Sequence, residues 1–208
     1  MKNYVITIAR GFGSGGKEIA VKLGERLGIP CYEKQILDMA SEQSGINECL
    51  FAKVDERLRG GYIANVLKKV PYSSVVQPSE KEFTSDINLY NIQAEMIRWL
   101  ANTESCIIIG KCADYVLQQR KNVISIYIEA PRESCVKSIV KKMKVSPEQA
   151  ADLIRKTDKY RAEYYKYYTG GGKWTNPVNY DMTLNSARVG REKCVDVIED
   201  YLHLKWRG

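Results

Sequence analysis

The sequence has one histidine, His203, and six scattered cysteines, Cys31, Cys49, Cys106, Cys112, Cys135 and Cys194, with no C-x-x-C pair among them. Zinc sites need closely spaced Cys and His ligands, so this composition argues against one. No stretch approaches the apolar length of a transmembrane span, and no apolar signal core stands at the N-terminus. No repeat or low-complexity segment interrupts the chain. The first apolar run begins almost at once, so the expectation is a cytoplasmic protein with no targeting segment ahead of the fold. In that compartment the cysteines are reduced thiols that serve packing.

What remains is an ordinary globular composition. The 208 residues are 44% hydrophobic and 27% charged, enough for one domain with a sizeable core and room for an inserted subdomain. The net charge is +7, which suits nucleic acid, a membrane surface or small polyanions. The excess is uneven: residues 132–173 carry eleven Lys or Arg against five Asp or Glu. Such a run is either a solvated helix face or the surround of an anion site.

The stretch that organises the chain lies near its start. Residues 4–9 (YVITIA) form a short apolar run rich in β-branched side chains, as a buried parallel strand requires. Ile19, Ala20, Leu23 and Leu27 then repeat at helical spacing. Between them Gly11, Gly16 and Lys17 stand at the G-x-x-x-x-G-K spacing of a phosphate-binding loop, with Gly13, Ser14 and Gly15 inside it. Glycines let the backbone wrap an anion closely. The N–H groups of the turn and of the helix start point at phosphate oxygens, and Lys17 adds a flexible point charge. The next position is Glu18 rather than the Ser or Thr that usually binds Mg²⁺. A metal there is held through water or another carboxylate, or the loop binds phosphate without catalysis.

Further along, strands and helices alternate. Gly28 ends the first helix, and residues 29–32 read as a short second strand. From residue 34 to about 102 the periodicity is mostly helical: one helix around Ile36–Ala40 closed by Gly45, a second from about 47 to 58, a polar loop at 70–85 and a helix at 86–101. Residues 105–109 and 123–128 are buried strands. Helices are expected at 113–119, 132–142, 146–168 and 192–204, with a last strand at 180–184. Ser146, Pro147 and Gln149 make a capping-box start for the longest of them. The alternation predicts an α/β fold with a parallel sheet flanked by helices. Residues 1–33, 103–145 and 176–208 form the expected core, about 34–102 a helical substrate-binding insertion, and about 146–175 a lid.

Two later motifs can carry chemistry. Arg155, Asp158 and Arg161 share one side of a helix. Two guanidiniums can clamp a transferring phosphoryl group while the carboxylate holds one of them; a surface ladder of i,i+3 pairs has the same spacing. Gly110, Lys111 and Asp114 follow a core strand, where open α/β sheets bind ligands. Lys111 can contact a substrate phosphate, and Asp114 a base or a metal-bound water, or simply the N-terminal dipole of its helix. Tyr160, Tyr164, Tyr165, Tyr167 and Tyr168 read as packing and closing surface.

Together these segments resemble the cytidylate kinase-like family of nucleoside monophosphate kinases. The matching stretches are ITIARGFGSGGKEIA, LGIPCYEKQIL, IIIGKCADYVL, ISIYIEAPRES, SPEQAADLIRKTDKYRAEYYKYYTG and NYDMTLNSARVG. They span nearly the whole chain, and the G-[RK]-x-A-D and D-K-x-R-A-x-Y-Y patterns make the likeness specific. The resemblance implies a P-loop NTPase fold with a five-stranded parallel sheet, a monophosphate-binding insertion and a lid. It implies transfer of the γ-phosphoryl of ATP, with Mg²⁺, to CMP or dCMP. Gly13 to Lys17 would bind the ATP phosphates, and Asn185 and Ser186, after the last strand, would meet the adenine. Arg155 and Arg161 would be lid arginines with Asp158 between them. Tyr32, Lys111 and Asp114 would face the acceptor. Lys111 stands where the family usually has arginine, Cys135 where it often has another, and Glu33 where aspartate is common; Lys111 gives up arginine's planar two-pronged grip. The residues leave open a nucleotide-binding sensor or interaction protein without transfer, and a kinase for another small acceptor. Nucleic-acid binding is the weakest alternative.

Overall fold

A computed structural model describes residues 3–44 and 86–206. The expected helix at about 47–58 and the loop at 70–85 lie outside the described residues. Five strands form one sheet: β1 (Val5–Arg10), β2 (Cys31–Tyr32), β3 (Cys106–Ile109), β4 (Val123–Glu129) and β5 (Met182–Asn185). Their order is β2-β3-β1-β4-β5, and every neighbouring pair is parallel. The helices are α1 (Gly16–Leu27), α2 (Gln35–Ser44), α3 (Asp86–Thr103), α4 (Ala113–Val116), α5 (Arg132–Met143), α6 (Pro147–Tyr168), α7 (Ser186–Val189) and α8 (Arg191–Lys205). Because all strands run the same way, the residues that follow each of them meet at one edge of the sheet. Among the described residues no helix is long and apolar enough to cross a membrane.

Side chains alternate between the two faces of the sheet. Ile6 and Ile8 of β1, Ile107 and Ile109 of β3, and Ile124, Ile126 and Ile128 of β4 share a cluster with Ile19, Ala20 and Leu23 of α1 and Val195, Ile198 and Leu202 of α8. On the other face Val5, Cys106, Ile108 and Val123 pack with Met96, Ile97, Leu100 and Ala101 of α3. The C-terminal part of the segment expected as a helical insertion thus covers the sheet itself.

Local chemistry explains the helix ends. Gly28 takes a left-handed conformation and closes α1 with its N–H on the Gly24 carbonyl. α6 starts with the expected capping box: the Gln149 N–H donates to Ser146 Oγ (3.2 Å) and the Ser146 N–H to Gln149 Oε1 (2.9 Å). Two elements differ from expectation. The helix expected over 113–119 is a single turn, α4, because the Arg120 N–H turns back to the Leu117 carbonyl (2.9 Å) to bring the chain into β4. The last strand begins at Met182 rather than Tyr180, whose N–H is committed to Pro177 in a 3₁₀ turn (Pro177–Asn179).

Candidate active site

The glycine loop joins β1 to α1 at the centre of the sheet edge. Gly13 and Gly15 have φ of +90° and +84°, and a Cβ on Gly13 would fall 2.8 Å from the Cys135 carbonyl oxygen, so side chains are excluded by strain and by contact. Ser14 is buried and donates from Oγ to the Gly11 carbonyl (2.8 Å), while the Gly16 N–H donates to the same Oγ (3.3 Å). Gly15, the N-cap of α1, has no side chain to cover the first N–H groups of the helix. The result is a concave glycine turn fixed from behind, with the first N–H groups of α1 left without a side-chain cap.

Charged groups crowd the front. Arg10, the last residue of β1, donates from Nη2 to Glu33 Oε1 (2.8 Å), and Lys17 pairs with the other oxygen, Glu33 Oε2. Burial lowers the Arg10 pKa against the opposing pull of Glu33 and Asp158. Burial also works to raise the Glu33 pKa, but bonds and charge from Lys17 and Arg10 outweigh it and hold it below the ordinary value. From α6, Asp158 Oδ1 accepts the Phe12 N–H (2.8 Å) and Arg161 Nη1 donates to the Arg10 carbonyl (2.9 Å). Burial and then the Arg10 charge push the Arg161 pKa down to about 10, still a cation at neutral pH. Arg155, by contrast, lies on the outer side of α6, exposed and paired with Asp152.

A cavity of ≈ 400 Å³ opens beside this cluster. Arg10, Lys34, Lys111 and Arg161 line it against Glu33 and Asp114, and Tyr160, Tyr164, Trp174 and Tyr180 supply an aromatic wall. Gly110, Lys111 and Cys112 at its rim all have positive φ, of 71°, 58° and 53°, a conformation non-glycine residues adopt at a cost and chiefly at functional sites. Asp114 is buried and accepts from the Tyr165 hydroxyl (2.8 Å), which also receives Asn179 Nδ2 (3.2 Å). Burial pushes the Asp114 pKa up to about 6, against the Tyr165 bond.

A family model described as the cytidylate kinase-like family matches residues 5–188. The chain belongs to the cytidylate kinase-like family. No curated protein matches it. A crystal structure of an uncharacterized protein from Eubacterium ventriosum ATCC 27560 is 26% identical, covers 96% of this chain and 98% of its own, and has a TM-score of 0.68. The fold is shared with shikimate kinase from Bacteroides thetaiotaomicron (12% identity, 96% and 98% coverage, TM-score 0.52) and with TT1252 from Thermus thermophilus (13%, 100% and 100%, 0.53). This member of the family therefore has a P-loop kinase fold.

The structure brings Lys17, Lys111, Asp114, Asp158 and Arg161 to one edge of the sheet. Several other expected residues serve different contacts. Asn185 is the last residue of β5, and its Oδ1 caps α7 by accepting the Ala187 and Arg188 N–H groups (3.2 Å each). Ser186 is buried and donates from Oγ to the Ser14 carbonyl (2.5 Å), bracing the back of the loop. Glu18 pairs with Arg191, whose Nη2 also donates to Ser138 Oγ (2.8 Å). The Tyr32 hydroxyl donates to Glu104 Oε1 (2.7 Å). Cys135 stands against Gly13, its thiol pushed up to about 11 by burial and then by the Glu129 charge. The sequence reading missed Arg10 as a site residue and noted Glu33 only as a family difference. Arg10 ends β1 and Glu33 directly follows β2, the edge where open parallel sheets bind ligands, and that position was a usable signal. Nothing in the sequence linked Arg191 to Glu18, far away along the chain.

The family implies Mg²⁺. Among the described residues no three His, Cys, Asp or Glu side chains cluster into a metal cage. The carboxylates around the loop, Glu33, Asp158 and Glu129, are hard oxygen donors. They fit an ion that keeps most of its ligands from substrate phosphates and water.

Proposed function

We propose that this protein transfers the γ-phosphoryl group of ATP to a nucleoside monophosphate, CMP or dCMP. One observation carries the reading: a left-handed glycine loop with Lys17 lies directly beside a cavity lined by four cations and an aromatic wall. The loop suits the phosphates of the donor, and the cavity suits an acceptor with an anionic end and a flat ring. Family membership supports phosphoryl transfer as the reaction class.

In this reading Lys17 leaves Glu33 for the β- and γ-phosphates. Arg161 and Asp158 hold the loop through the Arg10 carbonyl and the Phe12 N–H, which keeps the cradle in shape. Arg10 and Lys111 receive the acceptor phosphate, and Asp114 meets its ring or sugar. Mg²⁺ bound with ATP would neutralise phosphate oxygens, with Glu33, Asp158 and Glu129 as the protein carboxylates at hand. Arg155 reaches the phosphates only if α6 swings inward, which is the motion of a lid. Closing the site excludes water and orients both nucleotides, and this positioning together with electrostatic stabilisation by Lys17 and the arginines supplies most of the catalysis in phosphoryl transfer.

The test is ADP formation from ATP and Mg²⁺ with each nucleoside monophosphate in turn, beside Lys17→Ala. Turnover with CMP or dCMP that the variant loses supports the reading. ATP binding without monophosphate-dependent ADP release overturns it, in favour of another small acceptor or a nucleotide-binding protein without transfer.

A further inference from the structure

The Glu33 carboxylate stands between two groups that the proposed reaction uses separately. Its N–H is tied to Gln35 Oε1 (3.1 Å), which fixes it at the start of α2. One oxygen accepts from Arg10, the other from Lys17. Arg10 lies against Gly110 and lines the acceptor cavity, whereas Lys17 belongs to the phosphate loop and is more than half exposed. The Lys17 ammonium therefore already has an anionic partner before any nucleotide arrives. A phosphate that recruits Lys17 must displace a carboxylate, not only water.

We infer that Glu33 is a positioning residue that competes with nucleotide phosphate for Lys17, and that Arg10 sets the strength of that competition by holding the other oxygen. The inference rests on the reading of the glycine loop as the ATP site. A carboxylate shared by two cations holds each one less firmly than it would hold a single cation, because the two cations repel each other and divide one charge. Removing Arg10 turns Glu33 wholly toward Lys17, and nucleotide then binds more weakly. Removing the Glu33 charge frees Lys17, and nucleotide binds more tightly. A residue needed only to keep the site folded would weaken binding in both cases.

The experiment is calorimetric titration of the full chain with ATP in EDTA, because Glu33 is also a carboxylate at hand for Mg²⁺, for wild type, Glu33→Gln, Arg10→Gln and the double variant, with wild type repeated in Mg²⁺ and circular dichroism to check folding. Partly exposed ion pairs are individually weak, so the expected changes are modest: about fivefold tighter for Glu33→Gln, the low end for coupled sites, and a few-fold weaker for Arg10→Gln. The double variant is expected to match Glu33→Gln, because with no acceptor present Arg10 acts on ATP only through the carboxylate. If Glu33→Gln strands the partly buried Arg10 and does not fold, the neutral double variant is compared with Arg10→Gln alone and is expected to bind more tightly. Affinity that falls or stays constant in Glu33→Gln, or effects that simply add in the double variant, overturn the inference and leave the kinase reading standing. Absence of ATP binding by wild type overturns both.

Discussion

The two faces of the sheet are built from different chemistry. The buried core of the face under α1 and α8 is aliphatic from Ile6 and Ile8 to Leu23 and Ile198 apart from Cys194, with Tyr4 and Trp206 at its margin. The opposite face turns polar and aromatic toward the ligand edge. Thr7 Oγ1 donates to Ser125 Oγ (3.0 Å), and the Tyr127 hydroxyl donates to Glu129 Oε2 (2.5 Å). Tyr127 stacks on Tyr180, and Tyr90 on Tyr168. An aliphatic layer stabilises by area and shape alone. A tyrosine layer contributes area as well, but each hydroxyl must find a partner, so it brings carboxylates such as Asp114 and Glu129 into the interior. Both faces bury apolar area, but the titratable interior lies on only one of them.

That division can be broken or sharpened by variants. Lys17→Ala is expected to lower turnover by about 100- to 1,000-fold, as for other lost electrostatic donors, with little change in melting temperature because its side chain is largely exposed. Steady-state ADP release and a thermal melt check both halves. Leu23→Ala should do the reverse. It opens a cavity in the aliphatic layer and costs about 2–5 kcal/mol in denaturant unfolding, while turnover of the folded fraction persists.

Asp114 tests the aromatic face by pH. Its folded pKa, about 6, lies above the ordinary carboxylate value. The folded state therefore binds the proton more readily than the unfolded state, and stability from this group rises as pH falls through about 6 and levels off near 4. At neutral pH the buried charge costs up to about 3 kcal/mol. Asp114→Asn is expected to be more stable than wild type at pH 7, with the gap closing by pH 4; equal stability across that range would sink the account. Tyr165→Phe removes the hydroxyl bonded to Asp114. It should cost about 1–3 kcal/mol at pH 7 and move the Asp114 titration further upward, readable by carbon NMR of the carboxyl. The smallest effect on stability is expected from Arg155→Ala, whose exposed pair with Asp152 leaves the melting temperature unchanged. A fall in turnover from the same variant supports inward motion of α6.

The elements with strong local signals were legible from the residues alone. The β-branched runs are β1, β3 and β4; Gly28 ends α1; Ser146, Pro147 and Gln149 start α6. The glycine spacing located the left-handed turn between β1 and α1 because its requirement is local: backbone with positive φ, then a helix start and a lysine. The i,i+3 rule placed Asp158 and Arg161 on one side of α6, and they do face the loop together. It placed Arg155 with them, but the helix turns Arg155 outward to Asp152, because three-residue steps drift round the helix and periodicity does not fix how far round the contact extends. Only the parallel sheet, with β2 brought beside β3 and β1 between β3 and β4, delivered Glu33 to Lys17 and Arg10, and Arg191 to Glu18. Those pairs are set by strand order and helix crossover, which depend on burial summed over the whole chain, and no local spacing encodes them.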